Sequence, residues 1–186
     1  MKTFGNTAWP ALASLLAITV ICGMAYTGLV TVFAQLAFRE KANGSLVMAK
    51  SADGSERVVG SELIAQEFAK PEYLAGRPMG ATNLSPTGTK ERELVAQRVA
   101  DWQARKGEAR TAIPVDIVTA SGSGVDPFIS PEAAEYQIAG IARARGIDET
   151  AVRAAIAKNT NGRFLGVFGQ PAVNVLKVNL TLDALP

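Results

Sequence analysis

The chain has 186 residues, with 19 Lys and Arg against 17 Asp and Glu, one cysteine and no histidine. A near-neutral balance without a basic stripe lacks the electrostatic footprint of a nucleic-acid binder, and a lone Cys22 provides neither a disulfide framework nor a cysteine zinc site. Without histidine, the Ser-His-Asp and Cys-His nucleophile arrangements and every His-ligated metal centre are excluded together.

No residue from Thr3 to Phe38 is charged. About 20 apolar helical residues cross a bilayer, so the run is long enough to span even when tilted. Its apolar part, ALASLLAITVICGMAYTGLVTVFAQLAF, has Trp9 near one end, Phe33 and Phe38 near the other, and Gly23, Ala25 and Gly28 between them. Small residues there let a second helix approach closely. A cleaved signal peptide is the rival reading, but its apolar region spans only about 7 to 15 residues, so a retained helix is expected. Lys2 before the span and Arg39 and Lys41 after it nearly balance, so charge leaves the orientation open. The resulting division is a short N-terminus over 1–7, a transmembrane helix over 8–38 and a globular domain over 39–186.

In that domain, GSLVMAK (44–50), an Asp53-Gly54 turn and ERVVG (56–60) predict a hairpin. Ser61 then reads as an N-cap for a helix over ELIAQEF, with Leu63, Ile64 and Phe68 on one face. After the Pro/Gly/Ser/Thr-rich stretch 76–89, the segment 90–107 predicts a helix. Val95, Val99 and Trp102 would form its buried stripe, Asp101 would pair with Arg105, and Gly107 would be the C-cap. Ile113, Val115 and Ile117 alternate as in a half-buried strand.

Ser130 and Pro131 open the next predicted helix, with Glu132 and Glu135 near its positive end, Ala134, Ile138 and Ile141 inward, and Gly146 as its stop. Asp148 starts a shorter one carrying Val152 and Ile156. RFLGVFG and AVNVLKVNLTLD predict strands, because Leu176, Val178, Leu180 and Leu182 alternate with polar residues. The fold class is therefore a mixed α/β (α+β) soluble domain behind one N-terminal transmembrane helix.

The loop VTASGSGVDPFISPEAA (118–134) concentrates hydroxyls, glycines and a carboxylate. It lacks the third glycine of a dinucleotide turn, since position 127 is Pro, and no Gly-Lys-Ser/Thr follows. A nucleophilic Ser121 or Ser123 would need a lysine or carboxylate base. Thr119, Ser121, Ser123 and Asp126 would offer a hard cation a single carboxylate, which is thin ligation. Gly122 and Gly124 fit a tight turn whose hydroxyls bond its own backbone, so a structural loop without catalytic or metal-binding residues is expected. Trp102 and Tyr136 read as core or interface residues.

The block Gly60 to Phe68, then Pro71, Tyr73 and Gly76-Arg77-Pro78, IPVDIVTASGSGVDPFISPEAAEYQI and the terminal GQPAVNVLKVNLTLD together resemble the C subunit of the Kdp-type potassium-transporting ATPase. The likeness runs from the N-terminal span to the chain's end. Ala65, Leu74, Phe128 and a shortened 79–88 segment depart from the family pattern. The resemblance implies a non-catalytic assembly and regulatory subunit of an ATP-driven potassium uptake complex in a bacterial inner membrane. Its N-terminus would be cytoplasmic and its domain extracytoplasmic. The implied partners are a potassium-channel-like A subunit, a P-type ATPase B subunit and a small F subunit. It also implies no cofactor held firmly by this chain, with ATP reachable through the ATPase subunit. An alternative within the family is a catalytic chaperone that raises the ATP affinity of the B subunit, with Gln137 as the nucleotide contact. A membrane-anchored extracytoplasmic hydrolase is the remaining reading, and it would depend on Ser121, Ser123 or Asp126.

Overall fold

A computed structural model describes residues 2–50, 54–105 and 112–185. Asp53 of the expected turn and Gly107 as a C-cap lie outside them. The uncharged N-terminal run is helical as far as Ala37, and Phe38 leaves the helical conformation at φ −140°. Helix α1 (Lys2–Val20) passes through a π-helical segment, Ile21–Tyr26, into α2 (Thr27–Ala37). The Thr27 hydroxyl donates to the Cys22 carbonyl five residues back at 3.0 Å, matching the wider π-turn, while Thr19 and Thr31 donate to carbonyls four residues back. Hydroxyls bonded in this way carry no unmet polar demand into an apolar environment. A short helix α3 (Arg39–Ala42) follows, and Asn43 exchanges amide hydrogen bonds with Gln35 at 3.1 and 3.3 Å. The chain divides into two compact units, Met1–Leu46 and Val47–Pro186.

Strands β1 (Leu46–Lys50) and β2 (Glu56–Ser61) form a two-stranded sheet, as the hairpin reading expects. The helix expected over ELIAQEF is absent. The Ser61 hydroxyl accepts from Leu63 N at 3.1 Å, closing a local turn, and Gln66 Nε2 donates to the Val59 carbonyl at 2.6 Å. Both contacts serve an irregular path along β2, and such local side-chain bonds compete with helix formation.

Helix α4 (Thr89–Ala104) forms as expected, with Trp102 buried and Val95 and Val99 packed against the core. No ion pair joins Asp101 to Arg105 among the described residues. Arg105 instead lies over the Trp102 ring, 3.9 Å from its centroid. Residues 113–119 are not a strand. Val115–Ile117 make one 3-10 turn that buries Ile117 and leaves Val115 exposed, so the alternation there marked a turn.

Helices α5 (Pro131–Arg145) and α6 (Glu149–Lys158) match the sequence reading down to their caps. The Ser130 hydroxyl accepts from Ala133 N, Gly146 takes the left-handed conformation at φ 68°, and the Asp148 carboxylate accepts from Thr150 N at 2.7 Å. The Thr150 hydrogen bonds hold the Asp148 carboxyl below the usual carboxylate range, with nearby Arg153 adding to the effect.

The small sheet is antiparallel in the order β3 (Phe128–Ile129), β5 (Ala172–Asn174), β4 (Thr160–Asn161). Val173 in the central strand faces both Ile129 and Thr160. RFLGVFG is a tight exposed hairpin turn with a single bridge between Phe164 and Phe168.

The largest departure from expectation is α7 (Val175–Asp183), a helix where alternation predicts a strand. The Asn174 side chain caps it by accepting from Lys177 N at 3.0 Å. Of its buried residues, Val175, Val178, Asn179 and Leu182 recur at i, i+3, i+4 and i+7, with Leu176 beside them, which is helical spacing once Asn179 is counted as interior. α5, α6 and α7 surround the core with Ile129, Ile141, Val152, Val173 and Leu182.

A buried extended strap, Leu74-Ala75, runs between α7 and α5. Leu74 donates its N–H to Asn179 Oδ1 at 2.8 Å and accepts from Asn179 Nδ2 at 3.0 Å. Ala75 does the same with Gln137, donating at 2.8 Å and accepting at 3.1 Å. In extended chain, successive residues turn their N–H and C=O to opposite edges, so each edge meets one amide side chain in place of a neighbouring strand. Leaving one such buried group unpaired costs about 1–3 kcal/mol. Asn179→Leu is therefore expected to lower unfolding free energy by about 2–4 kcal/mol, as is Gln137→Leu. Lys177→Ala, which removes a half-exposed ion pair to Glu62, should cost about 1 kcal/mol or less. Urea unfolding of the detergent-solubilised chain, followed by tryptophan fluorescence, checks the ranking.

Candidate functional site

The strap, the 118–126 loop and the start of α5 meet in one region. Gly76 leaves room beside Val175, and Arg77 then reaches Asp116 at 3.1 Å. The other Asp116 oxygen accepts from Ser130 N at 2.7 Å, so a single carboxylate ties the strap to the start of α5. Thr119 donates its hydroxyl to the Val115 carbonyl at 2.8 Å and accepts a long bond from Arg77 Nη2 at 3.5 Å. Arg77 Nε is buried without a hydrogen-bond partner among the described residues. Farther back on the strap, Arg145 donates to the Glu72 carbonyl at 2.6 Å and pairs with Asp183 at 2.7 Å.

The loop turns its polar groups on itself. The Ser121 and Ser123 hydroxyls lie 3.3 Å apart, Val125 N donates to Ser123 Oγ, and Asp126 N donates to Ser121 Oγ. Asp126 Oδ1 accepts from Phe128 N at 3.0 Å. Among the described residues no lysine or carboxylate side chain is bonded to either serine, and no group of three metal-binding side chains occurs. Two backbone bonds reach outward, from Ala65 N to the Val125 carbonyl and from Gly80 N to the Gly124 carbonyl. The loop thus pins the segments on either side of the strap, at 65 and at 80. Gly122 is exposed, while Gly124 is buried at φ 70° with the backbone of Gly80 and Ala81 against it.

Gln137 is 2% exposed. Both of its amide N–H groups are engaged, with Ala75 O at 3.1 Å and Ala133 O at 3.0 Å, and its oxygen accepts from Ala75 N. It borders a cavity of about 360 Å³ that Tyr73, Arg105 and Gly140 also line. A second cavity, of about 310 Å³, lies on the Trp102 side of the strap and is lined by Arg77, Arg98, Asp101 and Arg105. On the opposite edge of the strap, Asn179 escaped sequence reasoning because a polar residue in an apolar alternation reads as solvent-facing. The i, i+3, i+4 spacing after an Asn cap was the available signal.

The two loop glycines separate a space requirement from a turn preference. A Cβ on Gly124 would sit 2.4 Å from Ala81 N in a left-handed backbone, whereas one on Gly122 meets nothing within 4 Å. Gly124→Ala is expected to destabilise by about 2 kcal/mol or more, against under about 1 kcal/mol for Gly122→Ala, as read from paired urea midpoints.

Residues 8–184 match the profile of the family described as KdpC: K+-transporting ATPase, c chain. The chain is 50% identical over 188 residues to the potassium-transporting ATPase KdpC subunit of Listeria monocytogenes serotype 4a, covering 100% of this chain and 99% of that one. It is 47% identical to the Sorangium cellulosum KdpC subunit over 94% of this chain and 95% of that one. Against the Burkholderia mallei KdpC subunit the identity is 42%, over 94% of each chain. With one apolar helix followed by a mixed helix-and-strand unit, and similarity along almost its whole length, the chain belongs to the KdpC family of K+-transporting ATPase subunits.

Proposed function

We propose that the chain is the non-catalytic assembly and regulatory subunit of a potassium-transporting ATPase. Its N-terminal helix packs against partner spans, and its 47–186 unit docks on the extracytoplasmic side near the potassium entrance. The partners in this reading are the potassium-channel-like A subunit, the P-type ATPase B subunit and the small F subunit.

The observation that carries it is the helix Thr7–Ala37, which is long and apolar enough to cross a membrane and is exposed along almost all of its length. At 1.5 Å per residue it is about 46 Å long, ample for a hydrocarbon core of about 30 Å. A helix that is apolar on all sides needs lipid or other helices around it. Gly23 and Gly28 leave open space on its surface, and the π-helical segment lies between α1 and α2. Close approach at such small residues favours packing against a partner span. The second unit supports a structural role, because the polar groups that resembled a catalytic loop are spent on holding backbone.

A catalytic-chaperone role through Gln137 has one observation in its favour, the cavity it shares with Tyr73 and Arg105. Nucleotide contact there would have to replace the bonds from Gln137 to Ala75 and Ala133, at about 1 kcal/mol or more for each. Assembly through the helix carries no such cost. Replacing residues 7–37 with an unrelated span of equal length is expected to leave the chain in the membrane but abolish its co-purification with the larger subunits and potassium uptake at low external potassium. Unchanged co-purification and uptake would contradict the proposal.

A further inference from the structure

Between Lys158 and Lys177 the only charged residue is Arg163, and it stands at the base of the most apolar exposed feature of the second unit. Phe164, Leu165, Val167 and Phe168 are 71%, 75%, 72% and 63% exposed. Their backbone is not loose. Phe164 and Phe168 exchange N–H···O bonds at 2.8 and 2.9 Å, Gly166 N donates to Arg163 O, and Val167 N donates to Phe164 O. Leu165 and Gly166 take positive φ to close the turn, and Gly169 takes it beyond. Residues paired directly in this way hold their side chains on one face, so the two rings form a single apolar surface. β4 and β5, hydrogen-bonded to each other, carry the turn on the small sheet.

We propose that this hairpin tip is an anchor that inserts into an apolar groove, rimmed by a carboxylate, on the extramembrane face of a larger integral-membrane subunit of the same complex. Two phenylalanines exposed to about two-thirds bring on the order of 200–330 Å² of apolar area, and Leu165 and Val167 extend it to the size at which a patch marks an interaction site. That is less than a full interface of about 1,600 Å², so the tip acts as one hot spot within a wider contact. Its internally bonded backbone can be dehydrated at little cost, and its closed turn removes much of the ordering penalty of binding. Arg163 has no ion-pair partner among the described residues, and no acidic residue lies between Lys158 and Lys177, so the charge calls for a carboxylate from outside.

Other occupants fit less well. Residues 159–171 contain no Trp or Tyr, the aromatic side chains enriched where a segment sits at a lipid interface. A second copy meeting this one tip to tip about a two-fold axis would set Arg163 against Arg163.

The inference rests on the assembly reading above. Its test uses the whole complex expressed in native membranes, with a photo-crosslinking amino acid at Val167 and, separately, Phe164→Ser/Phe168→Ser and Arg163→Glu. Cross-linking to a larger subunit is expected, with detergent-stable retention of the chain reduced about tenfold or more in the double variant and clearly reduced by charge reversal. These side chains are exposed, so the unfolding midpoint should not move. Cross-links confined to lipid or to a second copy, or retention unchanged in both variants, would overturn the anchor. If the wild-type chain itself failed to co-purify, the assembly reading would fall instead, so the two failures are distinguishable.

Discussion

Two side-chain amides hold the fold of the 47–186 unit together. Asn179 from α7 and Gln137 from α5 each present a donor and an acceptor to the Leu74-Ala75 backbone, one from each edge. The strap is neither helical nor part of a sheet, and buried peptide groups must be paired. The two amides therefore do the work that flanking strands would do elsewhere. Because they come from different helices, strap, α5 and α7 are fixed together. Leu74 is fully buried, so apolar burial and polar pairing act on the same residue.

From that clamp the order spreads along the chain. Arg77 carries it to Asp116 and, through the same carboxylate, to Ser130 at the start of α5. Arg145 carries it the other way, to Glu72 and Asp183, with its guanidinium 5.0 Å from the Tyr73 ring centroid. The 118–126 loop closes the arrangement by bonding to Ala65 and Gly80. Hydroxyls, glycines and a carboxylate in close sequence resemble catalytic equipment, yet here their hydrogen bonds go to backbone.

What was legible in the sequence follows from where the signals are local. The long apolar helix, α5 and α6 were all readable, because absent charge, a Ser-Pro start, a glycine stop and an Asp cap act within a turn or two of where they stand. α7 was not, since Lys177, Asn179 and Thr181 between apolar residues imitate a strand, and only a distant partner, Leu74, makes Asn179 an interior residue. ELIAQEF failed as a helix for a similar reason. Ser61 and Gln66 bond to backbone within reach of β2, and Gly60 admits Gln66 and Leu176 so closely that a Cβ there would collide with both. At 113–119, alternation in a short run could not separate a strand from one 3-10 turn. Gln137 was singled out in the sequence only through family resemblance, and its bonds to Ala75 depend on a segment some sixty residues away.

The clamp makes a direct demand on amide hydrogen exchange. In the detergent-solubilised chain, the Leu74 and Ala75 amides should exchange only through global opening, as slowly as helical amides such as Ile138 and Val178, although neither belongs to a helix or a sheet. Exchange as rapid as that of the exposed 81–87 segment would show that the side-chain amides do not hold the strap, and would contradict the account of how this fold is built.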